Sequence, residues 1–203
     1  MEQFTQEFCD KLTAKSRELE AISSIEIVPV VSARSHHYFD FRVQIALCAA
    51  LCASLADVAF SRSWIEASLV ASLAFALVFA LVTFPPLLRF ILPAKLAREA
   101  VIDEADTSFL HEEVFATRER TGVLVFISLF ERQVFVIGDK GLSHFVKPEY
   151  WAELGRMLAN DFKSCNPGQS FLVALDKLIH DVAPHFPASK DNPNELHDDI
   201  RKR

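Results

Sequence analysis

The segment Ala67–Leu88 contains no charged residue, and this constrains the fold of the chain more than any other feature. As a helix it would extend roughly 33 Å at ~1.5 Å per residue, enough to cross the ~30 Å hydrocarbon core of a bilayer. Val43–Phe60 has the same character except for Gln44 and Asp57. These two segments predict a pair of transmembrane helices within residues 42–93. The alternative is a buried helical hairpin of a soluble core, which so long an uncharged segment disfavours in a small domain.

The distribution of basic residues around the two segments predicts their orientation. The loop Ser61–Glu66 carries a single arginine, whereas several basic residues flank the pair on its outer sides. Because cytoplasmic loops are enriched in Lys and Arg, we expect a multi-pass protein with both termini and its polar domain in the cytoplasm. The flanking basic residues are Arg34, Arg42, Arg89, Lys95 and Arg98.

Outside these segments the chain is organised around Gly122–Gly141. Val123–Phe130 is an almost unbroken apolar stretch rich in β-branched and aromatic residues, which is typical of a strand buried on both faces. After the polar pair Glu131-Arg132, Val134–Ile137 is a second apolar stretch. The two stretches predict a β-hairpin. Ile25–Val31 is rich in β-branched residues and predicts a further strand. It contains one proline, which cannot donate a ladder hydrogen bond, so the strand is expected at an edge or bulge of the sheet.

The remaining chain has helical periodicity and gives the domain plan. We expect an α/β fold: a small sandwich with a sheet of about three to four strands flanked by helices, and the transmembrane pair inserted after the first strand. The domain is discontinuous, comprising residues 1–41 plus 94–187, and residues 188–203 predict a flexible polar tail. The predicted helices are Phe4–Leu19, Ala94–Arg120 (with a break at Asp106-Thr107), Pro148–Phe162 and Phe171–Val182.

Charge and cysteine usage exclude several classes of function. The formal net charge is −6, so nucleic acid is not an expected partner, because binding it requires a basic face. The four cysteines show neither a CxxC motif nor zinc-ligand spacing, which argues against a zinc site or a disulfide framework. The N-terminus lacks the pattern of a cleavable signal peptide.

Three oxygen-bearing residues fall at the predicted ends of neighbouring strands. Antiparallel pairing in the hairpin places Asp139 beside Thr121, and Glu26 begins at the same edge if its strand is parallel to Val123–Phe130. Carboxylate and hydroxyl oxygens suit Mg²⁺ or Ca²⁺, and a bound cation could hold a phosphate. Glu26, Thr121 and Asp139 are therefore the candidate metal ligands. The simpler interpretation, which we favour, is that Asp139 shapes a turn and Glu26 is solvated at a strand edge.

A set of short motifs is distributed along nearly the whole chain outside the two apolar segments. The motifs are Glu26-Ile27-Val28, Tyr38-x-Asp40, Thr117-x-x-x-Thr121-Gly122-Val123-Leu124, Glu131-Arg132, Gly138-Asp139-x-Gly141, Trp151, His185-Phe186-Pro187 and Asn194-Glu195-Leu196. Together they resemble the TPM domain family, in particular its bacterial membrane-protein branch. The resemblance implies an α/β sandwich in the bacterial cytoplasmic membrane, and partners such as LemA-type or other TPM membrane proteins.

The resemblance leaves two functions open. Members of this family are described as acid phosphatases, photosystem-repair factors and membrane-protein accessory factors, and some bind divalent metal. The sequence offers no activated nucleophile, no phosphate-binding glycine loop and no Cys–His pair. We therefore expect a membrane-anchored accessory or interaction protein that is non-catalytic or weakly metal-binding. The alternative is a divalent-metal-dependent acid phosphatase.

Overall fold

A computed structural model of the chain describes residues 14, 16–59, 63–160, 169–188, 196 and 201–202. The strands are β1 (Glu26–Ser32), β2 (Gly122–Ser128), β3 (Gln133–Gly138) and the two-residue β4 (Arg201–Lys202). The helices are α1 (residues 16–22), α2 (Phe39–Ala59), α3 (Trp64–Thr83), α4 (Pro85–Ile91), α5 (Ala94–His111), α6 (Pro148–Ala159) and α7 (Gln169–Asp181). Short 3₁₀ helices occupy Val114–Ala116, Lys140–His144 and Ala183–His185.

The described chain divides into two compact units. The first combines the residues up to Ser35 with those from Ala97 onward and contains the sheet; the second is the helical segment His36–Leu96. The predicted α/β class is confirmed at this level.

The sheet of the first unit is mixed, with the strand order β3-β2-β1-β4. β1 is parallel to β2, with Glu26 opposite Gly122, and β2 is antiparallel to β3. All residues of β2 are buried, which confirms the predicted central strand. β4 pairs with β1 only at Val30 and Val31, so Pro29 has no strand partner on its outer side among the described residues. This is the environment that a proline requires, because it has no N–H to donate.

The two faces of the sheet carry different helices. Val123, Val125 and Ile127 pack against α6, α7 and their neighbours, whereas Leu124 and Phe126 pack against α5. Such alternation follows from the period of two in a strand, which sends successive side chains to opposite faces. The sheet is therefore covered on both sides, and this explains why β2 is apolar almost throughout.

Helix α5 differs from its prediction in continuity. It runs from Ala94 to His111 without the expected break at Asp106-Thr107. The Thr107 hydroxyl donates a hydrogen bond of 2.8 Å to the carbonyl of Asp103 within the helix, so this polar side chain is accommodated inside the helix and does not cap a new one.

Two predicted segments lie largely outside the described residues. Of the predicted helix Phe4–Leu19, residues 14 and 16–19 are described, and they are helical. Of the predicted tail 188–203, the described residues are 188, 196 and 201–202. Leu196 packs beside the core on the α5 side, and Arg201 pairs with the carboxylate of Glu112.

The second unit contains two helices that are long and apolar enough to cross a membrane, α2 and α3. Each carries leucines at intervals of four residues that are half to nearly three-quarters exposed, from 50% at Leu81 to 72% at Leu73. Small residues of α2 are half-buried, which allows close approach of helices: Ala49, Ala50, Ala53 and Ser54.

The prolines after α3 end it. Phe84 has extended backbone (φ −70°, ψ 119°), and α4 begins at Pro85. A proline clashes with the helical conformation of the residue before it and lacks an N–H, so it is suited to the first turn of a new helix. The prolines therefore interrupt the uncharged segment Ala67–Leu88, and the second apolar helix ends at Thr83.

Candidate functional site

The strand ends meet at one edge of the sheet as predicted. Glu26 is opposite Gly122 across the parallel pair, and the Asp139 N–H donates a 2.8 Å hydrogen bond to the Gly122 carbonyl across the antiparallel pair. Glu26, Gly122 and Asp139 therefore form one row across three strands. Two interstrand spacings of ~4.8 Å separate the backbones of the two acidic residues by about 10 Å.

Alternation along the strands puts both carboxyl-bearing residues on the α5 face. The position between them is Gly122, and the backbone of Val114 lies directly over it. A Cβ at Gly122 would approach the Val114 carbonyl oxygen to 2.1 Å, so only glycine fits there. Glu26 and Asp139 are both buried, at 4% and 5% exposure. The prediction that Glu26 is solvated is wrong, since its side chain is buried.

The carboxylate of Asp139 is held by its own chain. One oxygen accepts hydrogen bonds from the Lys140 N–H at 2.7 Å and from Nη2 of Arg120 at 3.1 Å. The other oxygen lies 2.7 Å from Nε of Arg120. Asp139 therefore caps the 3₁₀ helix Lys140–His144 and forms a two-point ion pair, the geometry that a guanidinium makes best with a carboxylate.

Thr121 is engaged elsewhere. Its hydroxyl donates to the carbonyl of Ser24, and its N–H donates to the Thr117 hydroxyl at 3.0 Å. These bonds join the start of β2 to the segment that precedes β1. They also account for the spacing Thr117-x-x-x-Thr121, because the first threonine serves the backbone of the second.

The arrangement bears directly on the candidate metal ligands. Oxygen donors of Glu26 and Asp139 share one face and one edge, but the Asp139 charge is already compensated by Arg120. A divalent cation at Asp139 has to compete with that guanidinium. Among the described residues, no group of three or more His, Cys, Asp or Glu side chains is placed to hold a metal ion. The predicted set, which includes Thr121, stays a prediction.

Sequence reasoning missed Arg120, which organises this edge. Its backbone is left-handed (φ 59°), its guanidinium pairs with Asp139, and it lies 5.5 Å from the centre of the Phe115 ring. Its carbonyl also accepts a 2.9 Å hydrogen bond from the Gly141 N–H. The available signal was the polar run before Gly122, in which an arginine precedes the first strand of the hairpin, while an aspartate follows the second strand.

The two glycines around Asp139 act through close packing. A Cβ at Gly138 would lie 2.4 Å from the Trp151 ring, and one at Gly141 would lie 2.2 Å from the Glu119 carbonyl oxygen. Neither glycine has a left-handed φ, so close packing rather than backbone conformation accounts for glycine at both positions. The left-handed residues near the β2–β3 hairpin are Arg120 and Arg132.

A second polar cluster lies at the opposite end of β1 and β2. The Ser128 hydroxyl donates to the carboxylate of Glu131, the Ser35 hydroxyl donates to the Ser128 oxygen at 2.9 Å, and the Ser35 N–H lies 3.3 Å from both Glu131 oxygens. Glu131 is 9% exposed. The cluster fastens the connector after β1 to the β2–β3 turn, and it explains why a glutamate opens that turn.

A groove runs along the outer edge of β3. Helices α5 and α6 form its walls, and its volume is about 670 Å³. The floor is the whole of β3, from Gln133 to Gly138. Charged residues line it on both walls: Arg98 and Asp106 on α5, and Glu149 and Arg156 on α6. This groove was not predicted from the sequence.

Comparison with known proteins supports the fold alone. No protein-family model matches the chain, and no curated protein matches it. Among solved structures, the chain is similar to the NMR structure of the BA42 protein from the psychrophilic bacterium Bizionia argentinensis sp. nov.. The match has a TM-score of 0.60 at 18% sequence identity and covers 98% of this chain and 94% of that one.

Proposed function

We propose that this chain is a TPM-type, membrane-anchored interaction module of the bacterial cytoplasmic membrane. In this proposal α2 and α3 cross the bilayer, and the α/β unit presents its surfaces to a partner in the cytoplasm. LemA-type or other TPM membrane proteins are the first partners to test. The motifs quoted above support the family assignment.

The observation that carries the proposal is the exposed apolar surface of the two long helices. Leu69, Leu73 and Leu77 on α3 are 65%, 72% and 59% exposed. Exposed apolar surface in water costs roughly 25 cal/mol per Å², and large contiguous patches mark interaction or membrane surfaces. A bilayer removes this cost for the full length of both helices.

Charge distribution supports the orientation. The loop between the helices contains Arg62 and Glu66, whereas Arg89 and Lys95 follow the second helix and Arg42 lies in the first turn of the first. Under the positive-inside rule, this places the loop outside and the α/β unit inside.

The contacts at the Glu26–Asp139 edge favour a non-catalytic module. The Asp139 carboxylate is paired with Arg120, and the Thr121 hydroxyl donates to a backbone carbonyl. A nucleophile or general base requires a partner that activates it and space for a substrate. These two groups instead fasten strands and turns of their own fold.

Topology is tested by cysteine labelling in intact cells. Cys9, Cys48, Cys52 and Cys165 are replaced by serine or alanine, and Ser61→Cys is introduced in that background. We expect a membrane-impermeant maleimide to label this variant from outside, and a matched Lys202→Cys variant to be labelled only after permeabilisation. The opposite pattern would reverse the orientation. Recovery of the unmodified protein in the carbonate-soluble fraction would refute membrane anchoring.

The catalytic alternative is tested on the purified full chain in detergent. We expect no phosphate release from p-nitrophenyl phosphate at acidic or neutral pH, with Mg²⁺ or Ca²⁺ added. Release that depends on the cation and disappears in Asp139→Asn would establish the phosphatase instead.

Cation binding is measured separately by thermal unfolding. A ligand of the native state raises Tm by mass action. If Asp139 binds Ca²⁺ or Mg²⁺, the cation should raise the Tm of the parent but not of Asp139→Asn, because the amide lacks the charge that attracts a hard cation. Equal shifts in both proteins would remove Asp139 from the ligand set.

A further inference from the structure

The outer edge of β3 presents backbone hydrogen-bonding groups to the groove. The bond from the Asp139 N–H to the Gly122 carbonyl sets the pattern of the β2–β3 ladder. In an antiparallel pair hydrogen-bonded positions alternate, so Gln133, Phe135 and Ile137 bond to β2, and Val134, Val136 and Gly138 point their backbone groups outward. No hydrogen bond from the described residues reaches this outer side.

The walls of the groove lie close to β3. On the α6 wall, Gly155 lies so close to β3 that a Cβ there would be 3.1 Å from the Val134 carbonyl oxygen, and Trp151 packs on Gly138. On the other side, α5 packs over Phe135 and Ile137. The edge of another folded sheet would bring its own covering helices against α5 and α6. A single extended segment meets no such obstacle.

The two ends of the groove carry opposite charges, negative at the Gly138 end and positive at the Gln133 end. Trp151 against Gly138 and Gly155 against Val134 show that α6 runs antiparallel to β3. Glu149 therefore lies at the Gly138 end, and Arg156 lies at the Gln133 end.

Helix α5 repeats the same polarity. Its C-terminal end leads to Val114, which covers Gly122 at the Gly138 end of the sheet. Asp106 is near that end, and Arg98 lies eight residues, or about 12 Å, toward the other. Both are exposed, as are Glu149 and Arg156 on α6.

We propose that this groove binds an extended peptide segment of a partner protein as an additional strand antiparallel to β3. The peptide has alternating apolar residues, a basic residue toward its N-terminus and an acidic residue or C-terminal carboxylate at its end. The basic group lies between Asp106 and Glu149, and the acidic group lies between Arg98 and Arg156. Main-chain bonds to Val134 and Val136 provide affinity, and the end charges fix the direction. The proposal rests on the interaction function above and specifies the chemistry of the partner.

The test uses the full chain in lipid nanodiscs and two fluorescein-labelled peptides of identical composition. One is Lys-Thr-Val-Thr-Val-Thr-Glu, and the other has the two end residues exchanged. Fluorescence anisotropy should show at least tenfold tighter binding of the first peptide. Equal affinities, or binding of neither peptide, would overturn the proposal. N-methylation of the valines, which removes main-chain donors and keeps the side chains, should weaken binding of the first peptide at least tenfold.

Variants of exposed residues assign the binding to the groove. Arg98→Glu/Arg156→Glu should weaken binding of the first peptide at least tenfold. Adding Asp106→Lys/Glu149→Lys should invert the preference between the two peptides. Arg118→Glu, an exposed arginine of the same unit that does not line the groove, is the matched control and should leave affinity unchanged. Binding that ignores the four groove charges would place the peptide elsewhere and refute the assignment.

The two proposals fail in different measurements. Loss of peptide binding in a protein that remains in the carbonate-insoluble fraction refutes the groove and leaves the membrane module intact. A carbonate-soluble or phosphate-releasing protein refutes the function whatever the peptides do.

Discussion

Removing the Arg120 side chain should destabilise the α/β unit by about 2 kcal/mol. Asp139 is buried and Arg120 is half exposed, with side-chain exposures of 4% and 49%. Breaking a fully buried pair costs about 3–5 kcal/mol, and an exposed pair contributes about 0.2–1 kcal/mol. Arg120→Ala lies between these limits, because it leaves the Asp139 carboxylate buried with the Lys140 N–H as its described hydrogen-bond donor.

The backbone of Arg120 makes the prediction sharper. A left-handed φ costs an L-residue roughly 1–2 kcal/mol, and glycine does not incur this cost. Arg120→Gly loses the same ion pair as Arg120→Ala but relieves the backbone strain. Part of this gain in stability is offset because glycine increases the conformational entropy of the unfolded chain. We therefore expect Arg120→Gly to be about 1 kcal/mol more stable than Arg120→Ala.

The pairing itself is isolated by a double-mutant cycle. Asp139→Asn keeps a side chain that caps helices well, so its cost should be about 1 kcal/mol. The double variant Arg120→Ala/Asp139→Asn should cost clearly less than the sum of the single variants, with a coupling of about 1–2 kcal/mol.

Urea unfolding of the full chain in detergent measures these differences. Fluorescence of Trp151, which packs on Gly138 next to Asp139, reports on the α/β unit. Trp64 is replaced by Phe so that a single tryptophan is followed. A cost below about 0.3 kcal/mol for Arg120→Ala, equal stability of the Ala and Gly variants, or additive single and double variants would each refute the reasoning.

Further substitutions test the packing and the charges around the sheet. Tyr150→Phe should be neutral or stabilising by up to about 1 kcal/mol, because the buried hydroxyl lacks a described partner. Burial raises the pKa of Tyr150 to about 12, so between pH 10 and 12 the wild type should lose more stability in urea unfolding than Tyr150→Phe does. Partial desolvation and the charge of Asp103 raise the pKa of Asp106. Because Asp106 is largely exposed, solvent screens this repulsion, so Asp106→Asn should be only about 0.2–0.5 kcal/mol more stable than wild type in urea unfolding at neutral pH. The gain should vanish in acid as Asp106 is protonated. Gly138→Ala should lower the free energy of unfolding in urea by about 1–3 kcal/mol, because its methyl group overpacks against Trp151. Adding Trp151→Leu should recover part of this loss. Full stability of Gly138→Ala would contradict the contact.

The local pattern of the sequence determined the elements. Val123–Phe130 is too short for an amphipathic helix and too apolar for a surface, so it could only be an interior strand, and β2 is that strand. The uncharged length of Ala67–Leu88 determined a long apolar helix, and Pro85-Pro86 determined where it stops. Such inferences succeed because periodicity, segment length and the effects of proline depend only on residues that are close in the sequence.

The sequence did not determine whether β1 is parallel to β2, and the structure shows that it is. Once it holds, Glu26 and Asp139 must share an edge, and they do. Their surroundings did not follow from the alignment. The Val114 backbone covers the position between them. Arg120 forms an ion pair with the Asp139 carboxylate, which the sequence analysis named as a candidate metal ligand.

Only the tertiary structure decided the contacts between distant segments. Glycines 138 and 155 are ordinary by pattern, yet the first contacts Trp151 and the second approaches a carbonyl of β3, and together they bring α6 close enough to form the groove. The pairing of Arg201–Lys202 with β1 likewise joins a charged terminus to the sheet. The physical reason is that the residue type at these positions depends on the group that lies opposite after folding. A single sequence does not show which distant residue that is.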